Sequence, residues 1–588
     1  MKNKWNNRVS LIFVACVLII ALASLSFSMV NTTMNVKKKI KKSKNVDSTA
    51  YPFRFRDVGN ALGLFPAAAE IKGHAAAWGD VNGDNYVDLY IGTFESSSPS
   101  KPNMLFINKG GQFALSNQES VRIATRSTGT IFADLDNDGD LDLYVGSMPM
   151  VEKGLVGCSM FENDGKGNFK NISENNAACP IEFGGRSSTV LDYDGDGLLD
   201  ILVGEDPAKG YNGSPTHSFR LFHNEGNLKF KDITSEAGLP LGIPGYGVAA
   251  ADVNNDGWPD FFVACQGGVY GDEYAESKMG NKLFINNRNG TFTEIKSLNK
   301  LFEWKGAGGD KMVCGISFGD INGDGMLDIV LGPHFILPAK NPQPLRLFVN
   351  SGNDNKGFPK FKEITEEAGF KPIYMKQPHI EIQDMDNDGL PDITTSAIRF
   401  KDGKPYPIIF RNTGLNKKGV PVFQDFKIND YPTKEDFKIN KSSTFWDKTL
   451  MEGTAMYGAP APTADFNNDG KLDIFLTSWW PEKPSLLLKN ETVGGSWLNV
   501  AVIGNNGVNR MGVGAKVKIY KKGKLGSKNH LLGTQDISVG YGYASGHEAI
   551  THFGLGNHKK VDVEVILPNE KGKLFKRNVE VNQKITIQ

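Results

Sequence analysis

One nine-residue pattern occurs seven times and limits what this chain can fold into. It reads "DVNGDNYVD" from Asp80, "DLDNDGDLD" from Asp134, "DYDGDGLLD" from Asp192, "DVNNDGWPD" from Asp252, "DINGDGMLD" from Asp320, "DMDNDGLPD" from Asp384 and "DFNNDGKLD" from Asp465. Successive copies start 54 to 81 residues apart. A motif in register at that period marks repeated supersecondary units that bury their faces against one another. The neighbours repeat as well. A small-residue or β-patterned run precedes each copy ("GTIFA", "GYGVAAA", "GISFG"), and a short apolar run follows ("LYIG", "ILVG", "FFVA"). Next comes a strand ending in Asn ("MLFIN", "SMFEN", "RLFHN", "KLFIN", "RLFVN", "IIFRN", "LLLKN"), and often a third element such as "KFKDITSEAGL". No long helical periodicity interrupts these runs.

Four short strands in each of seven units predict an all-β chain, with a seven-bladed β-propeller over residues 51–490. The segment "FRFRDVGNALGL" (53–64) matches the third element yet precedes the first motif, while the last unit stops at "LLLKN". The N-terminal strand is therefore expected to complete the last blade and close the ring, which removes open sheet edges. From about Gly495 the acidic motif is gone, and "WLNVAVIG", "AKVKIYKK" and "VDVEVILP" alternate like strands, so a small separate β domain is expected over 491–588.

Packed carboxylates repel unless something offsets them. Positions 1, 3, 5 and 9 of the motif are Asp or Asn throughout. They are Asp80, Asn82, Asp84 and Asp88; Asp134, Asp136, Asp138 and Asp142; Asp192, Asp194, Asp196 and Asp200; and Asp252, Asn254, Asp256 and Asp260 in the first four copies. The last three supply Asp320, Asn322, Asp324 and Asp328; Asp384, Asp386, Asp388 and Asp392; and Asp465, Asn467, Asp469 and Asp473. Odd spacing through a tight loop turns these side chains toward one centre. Position 7 is Tyr86, Asp140, Leu198, Trp258, Met326, Leu390 or Lys471, too varied for a side-chain ligand, so it is expected to contribute its backbone carbonyl. Position 6 is Gly in six copies and Asn85 in the first, as a left-handed turn requires. Oxygen donors on a flexible loop suit Ca²⁺, and up to seven ions are expected. The loop begins like an EF-hand, but position 12 holds an apolar residue or Thr where that motif needs Glu, and strands flank it. A catalytic carboxylate pair is the other reading, yet such a pair would occur once in a cleft and not in every unit. By charge count, the copies at Asp134, Asp192 and Asp384, with four carboxylates each, should bind most tightly.

The 588 residues exceed one ordinary core, and 66 basic residues balance 66 acidic ones, so nothing points to nucleic acid. The start "MKNKWNNR" followed by the apolar run 10–29 reads as a signal peptide or an N-terminal membrane anchor over residues 1–30, then a basic linker over 31–50 containing "KKKIKKSK". Those basic residues oppose the positive-inside rule for an N-in anchor and favour cleavage. "FVAC" ending at Cys16 loosely matches a lipoprotein box, but a long apolar run follows it. The other four cysteines form no CxxC pair, so zinc is not expected from their spacing. In an exported chain they predict two disulfides, Cys158–Cys179 and Cys265–Cys314, with four buried thiols as the alternative. The nine histidines form no HExxH motif. His74, His334 and His379 lie near the acidic loops, and His379 with Glu381 could face the central channel; a structural role is the simpler reading for these and for His547 and His552. Of the adjacent Trp479 and Trp480 at most one can be core, and the other is expected to pack on the C-terminal domain, with sugar stacking as the alternative.

The acidic loops and flanking strands resemble FG-GAP/VCBS repeats, similar to those of integrin α-subunit propellers. The segments "NRMGVGAKV" (509–517), "GYGYASG" (540–546) and "HFGLG" (552–556) resemble the ASPIC/UnbV domain. The resemblance covers about residues 51–588. It implies a seven-bladed calcium propeller outside the cytoplasm and no established reaction. Gly546, Val508 and the missing Trp before Pro568 depart from the usual pattern, so the resemblance implies a fold there and no ligand site. The expected function is an extracellular binding or adhesion module for a protein or glycan, periplasmic, cell-surface or secreted, meeting a membrane only through an uncleaved N-terminus. The alternatives are a calcium-dependent enzyme acting on a polysaccharide or small molecule in the channel, and a purely structural surface protein. No catalytic residue is assigned.

Overall fold

The computed structural model describes residues 51–588 except 95–100, 151–152, 182, 206–217, 244, 266–279, 305–312, 335–342, 374 and 427–453. The expected leader, anchor and basic linker lie outside these residues. Among the described residues, no helix is long and apolar enough to cross a membrane.

Seven antiparallel sheets form the blades. Blade two is representative: inner strand Ser127–Ala133, second strand Asp142–Ser147, third strand Ser159–Asn163 and outer strand Phe169–Asn171. The acidic motif is the link between inner and second strand in every blade. The seventh blade takes its outer strand from the start of the chain, where Phe55–Asp57 pairs with Leu486–Asn490 in the register Phe55 to Asn490. The ring closes as the sequence predicts, and among the described residues each blade sheet has at least four strands.

Inner strands read "GHAAAWG", "STGTIFA", "GRSSTVL" and "GVAAA", and every residue is buried apart from Ala250 in the fourth. Small residues are needed because neighbouring inner strands converge on the axis. A Cβ on Gly247 would lie 1.9 Å from the Cys314 carbonyl oxygen of the next blade. Larger side chains fill the wedges between sheets farther out, such as Phe219, Phe261 and Phe284 between blades three and four.

The asparagine that ends each third strand explains the repeated "N" of the sequence. Asn224 donates through Nδ2 to the Leu199 carbonyl of its own loop at 3.0 Å and to the Leu135 carbonyl of the preceding blade at 2.6 Å. Asn163, Asn286, Asn350, Asn412 and Asn490 repeat the bond to the preceding blade. Asn108 makes it to Phe466 of blade seven at 2.8 Å, so the set of clamps runs round the whole ring.

The C-terminal segment is a β-sandwich. A three-stranded sheet of Ile550–Gly556, Ser496–Val502 and Gln583–Ile587 packs on a four-stranded sheet of Leu531–Asp536, Lys516–Lys521, Lys560–Ile566 and Lys573–Glu580. Its core of Leu498, Val500, Val517, Phe553 and Val563 is continuous with that of blades two and three.

The four cysteines among the described residues are buried and form no disulfide, which corrects the expected pairs. Cys265 sits among Phe219, Val263 and Phe284, whereas Cys314 packs with Tyr246, Ala459 and Tyr543, so apolar packing holds each thiol in a separate cluster. Cys158 and Cys179 share one cluster without bonding. Trp479 and Trp480 also depart from expectation. Trp479 lies against Phe94 and His74, with the Lys72 ammonium 4.1 Å from its ring centre, and Trp480 against Tyr457, so the aromatic partners of both belong to blades.

Candidate metal-binding loops and the plugged axis

Each acidic loop is shaped by bonds between its carboxylates and its own backbone. In the first loop the Asp80 carboxylate accepts from the N–H groups of Asp84 and Asn85, and Asp84 accepts from Tyr86. Two left-handed residues make this possible. Position 6 has φ between 68° and 104° in all seven copies, as its Gly or Asn predicts. Position 4 is left-handed too, with φ from 55° to 78°, and is always Gly or Asn: Gly83, Asn137, Gly195, Asn255, Gly323, Asn387 and Asn468. Gly or Asn at position 4 is thus a second left-handed signal in the sequence. Position 9 accepts the backbone N–H of the clamp asparagine in every blade, for example Asn108 to Asp88 at 2.7 Å and Asn490 to Asp473 at 2.7 Å. It thus ties the loop to the third strand besides facing the loop centre.

Carboxylate oxygens converge within 4.8 Å in three loops: Asp134, Asp136 and Asp138; Asp192, Asp194 and Asp196; and Asp384, Asp386 and Asp392. Asp140 stays outside its group, in keeping with a position that offers only backbone. The other four loops hold an Asn at position 3. Burial, and behind it the neighbouring carboxylates, push Asp134 up to about 7, and Asp192 likewise to about 7. Asp142 is pushed up to about 8, chiefly by burial, and Asp392 well above the usual range by burial and then by Asp384 and Asp386. Asp134 Oδ1 and Asp386 Oδ1 are buried with no hydrogen-bond partner. Converging carboxylates, at least one buried in each loop and two with orphaned oxygens, fit a cation in these loops.

The residue before the clamp asparagine faces the loop and separates sites that charge counting groups together. In blade two it is Glu162, which adds to the negative field at Asp136 and Asp140. In blade three it is His223, whose Nδ1 lies 3.0 Å from Asp200, a bond that raises the imidazole to about 9. In blade six it is Arg411, bonded through Nε to Asp386 at 2.7 Å and through Nη2 to Asp388 at 2.6 Å.

The C-terminal sandwich sits on the loop face. Arg510 N–H donates to Asn137 at 2.9 Å, Asn569 Nδ2 to the Asp192 carbonyl at 3.2 Å, and Lys516 Nζ to the Asp252 carbonyl at 3.0 Å. His552 Nε2 meets Asn387 Oδ1 at 2.8 Å. From this face the segment 540–547 enters the axis. Gly542 N–H donates to the Ile316 carbonyl of blade five at 2.8 Å, and Ser545–Gly546 pairs in parallel with Gly73–Gly79 of blade one. A side chain at Gly546 has no room, since a Cβ there would lie 2.8 Å from the Thr130 carbonyl oxygen. The axis expected to be a channel is therefore plugged by the chain itself.

The plug carries His547 to His379 and Glu381 of blade six, a meeting across 166 residues that no spacing in the chain signals. All three are buried, at 3%, 0% and 0% exposure, and offer ligand atoms within 4.8 Å of one another. Burial pushes the Glu381 carboxyl up, but the two imidazoles more than reverse this and hold it well below the usual range. His74 and His334 lie farther along the axis, where the Tyr543 ring approaches both. Burial, and then nearby cations, hold both imidazoles well below their usual range.

Two family models match this chain. The family model "FG-GAP-like repeat" matches residues 80–145, 210–263 and 269–331, and the model "ASPIC and UnbV" matches 505–588. Cartilage acidic protein 1 of Xenopus tropicalis is 25% identical over 481 residues, covering 78% of this chain and 64% of that protein. The Homo sapiens protein is 25% identical over 473 residues, covering 77% and 61%. The chain thus spans less than two thirds of the length of the curated relatives it matches. Among solved structures, the exotype rhamnogalacturonan lyase YesX aligns over 72% of each chain at 13% identity with a TM-score of 0.37. The chain carries FG-GAP repeats and an ASPIC/UnbV domain and is related to cartilage acidic protein 1.

Proposed function

We propose that this chain is an exported propeller, stabilised by calcium in its acidic loops, that acts as an extracellular binding or adhesion module for a protein or glycan. The observation that carries the calcium reading is the convergence of three carboxylates in each of three loops, with a buried oxygen of Asp134 and of Asp386 left without a hydrogen-bond partner. Asp or Asn at positions 1, 3, 5 and 9, with the position 7 carbonyl, would hold the ion. Bound calcium would supply positive charge at the centre of each loop. The relation to cartilage acidic protein 1 and the apolar N-terminal run support export. The plugged axis favours binding over chemistry in a channel, and the sandwich covers much of the loop face, which leaves the opposite face and the blade rims to meet a partner.

Calorimetry on the full chain with calcium and with chelator tests the metal. Extracellular modules bind calcium at about 10⁻⁴–10⁻³ M, so at about 10 mM each occupied loop should add about 1–3 kcal/mol. Chelation should lower the melting temperature, and an unchanged value would sink the reading. A glycan and protein array probed with the calcium-loaded chain tests the binding role. Chelator-sensitive capture supports it, and no capture on any array returns the chain to a purely structural role.

A further inference from the structure

We propose that His379, Glu381 and His547 hold one divalent first-row transition ion that fastens the plug to blade six. The site is distinct from the acidic loops and has different donors: two imidazole nitrogens and one carboxylate, a set that suits zinc, iron, copper or nickel and not calcium. His379 and Glu381 share one face of the blade six inner edge because they are two residues apart in extended chain. His547 arrives from the plug. Its Nε2 lies 2.6 Å from Glu381 Oε1, and His379 Nε2 lies 2.8 Å from the same oxygen.

The contacts around these groups orient them as a ligand set. The Ser545 hydroxyl donates to the Tyr541 carbonyl at 2.8 Å. The Tyr543 carbonyl oxygen stands 3.1 Å from His379 Nδ1 and accepts from it, which turns Nε2 of the same ring to Glu381. Donation from a histidine's far nitrogen to a backbone carbonyl is also how metal-ligating imidazoles are oriented. The carboxylate is fixed in turn by blade seven, where Thr463 donates its N–H to Oε1 at 3.1 Å and its hydroxyl to Oε2 at 2.6 Å. Oε1 then has three partners for two lone pairs. The Tyr541 ring stacks on His547 at 3.8 Å and closes that side. An ion bound to both Nε2 atoms and Oε1 satisfies all three lone-pair atoms, and three protein ligands leave a further position for water.

The site is enclosed, so it would be loaded as the chain folds. The full chain is refolded with Co²⁺ in saturating Ca²⁺, which keeps the acidic loops filled, then desalted and assayed for cobalt and for visible ligand-field absorption. One retained equivalent is expected in the native protein, and at least about a tenfold weaker retention in His547→Gln and Glu381→Gln. His547→Gln keeps a hydrogen-bond donor on the plug, so circular dichroism should show it folded even if Glu381→Gln fails. Failure of the native chain to retain cobalt overturns the proposal, as does equal retention by folded His547→Gln. As-purified protein assayed for zinc and iron serves if refolding is incomplete: a stoichiometric ion lost in His547→Gln supports the site, and none in the native chain overturns it.

Discussion

Arg411 stands one residue before the clamp asparagine of blade six and takes the Asp386 and Asp388 oxygens that a calcium ion in that loop would need. A bidentate guanidinium on two carboxylates is a strong pairing, so loop six should be weaker than its four carboxylates suggest. Arg411→Gln is expected to tighten calcium binding there about tenfold, or ~1.4 kcal/mol, seen by titration calorimetry as one site moving to higher affinity. Unchanged or weaker binding would show that the arginine supports the loop and does not compete with the ion. Loop two, with Glu162 in the equivalent place, should remain the tightest. The acidic positions themselves were legible from spacing alone. The influence of Glu162, His223 and Arg411 was not, because each lies some twenty residues from its loop and meets it only through strand pairing.

The third strand of each blade does more than pair with its neighbours. Its terminal asparagine joins two blades, and both acceptors are buried carbonyls. Asn224→Ala would leave the Leu135 and Leu199 carbonyls and the Gly226 N–H without partners. Orphaned buried groups cost about 1–3 kcal/mol each, so with three of them we expect a loss of about 3 kcal/mol or more, measured by denaturant unfolding with calcium held saturating. A loss under about 1 kcal/mol would mean that packing, and not the clamp, holds adjacent blades. The recurring Asn was visible in the sequence as a strand terminus. Its function was hidden because the second acceptor belongs to the previous blade, about ninety residues away.

At the scale of the molecule, the C-terminal sandwich caps the ring and plugs its axis, and His552 lies in that contact. Its ring nitrogens meet Asn387 Oδ1 and Asn499 Oδ1, and burial lowers it from 6.5 to about 4. Between those values the unfolded chain binds the proton and the folded chain does not, so stability rises with pH across the window. The contribution is complete above the unfolded value of 6.5 and is lost as pH falls toward about 4. Thermal melts over that range should show a decline that His552→Gln flattens; parallel curves would place the acid sensitivity elsewhere. The repeat, the blade count and the acidic loops were determined by local sequence, because each depends on residues within one turn or one strand period, and the strand that closes the ring was legible because residues 53–64 match the element the last unit lacks. The plug, the meeting of His379, Glu381 and His547, the unbridged thiols and the docking of the sandwich on the loop face were decided only by tertiary structure. They depend on which distant segments the closed ring brings to its axis, and no spacing along the chain encodes that distance.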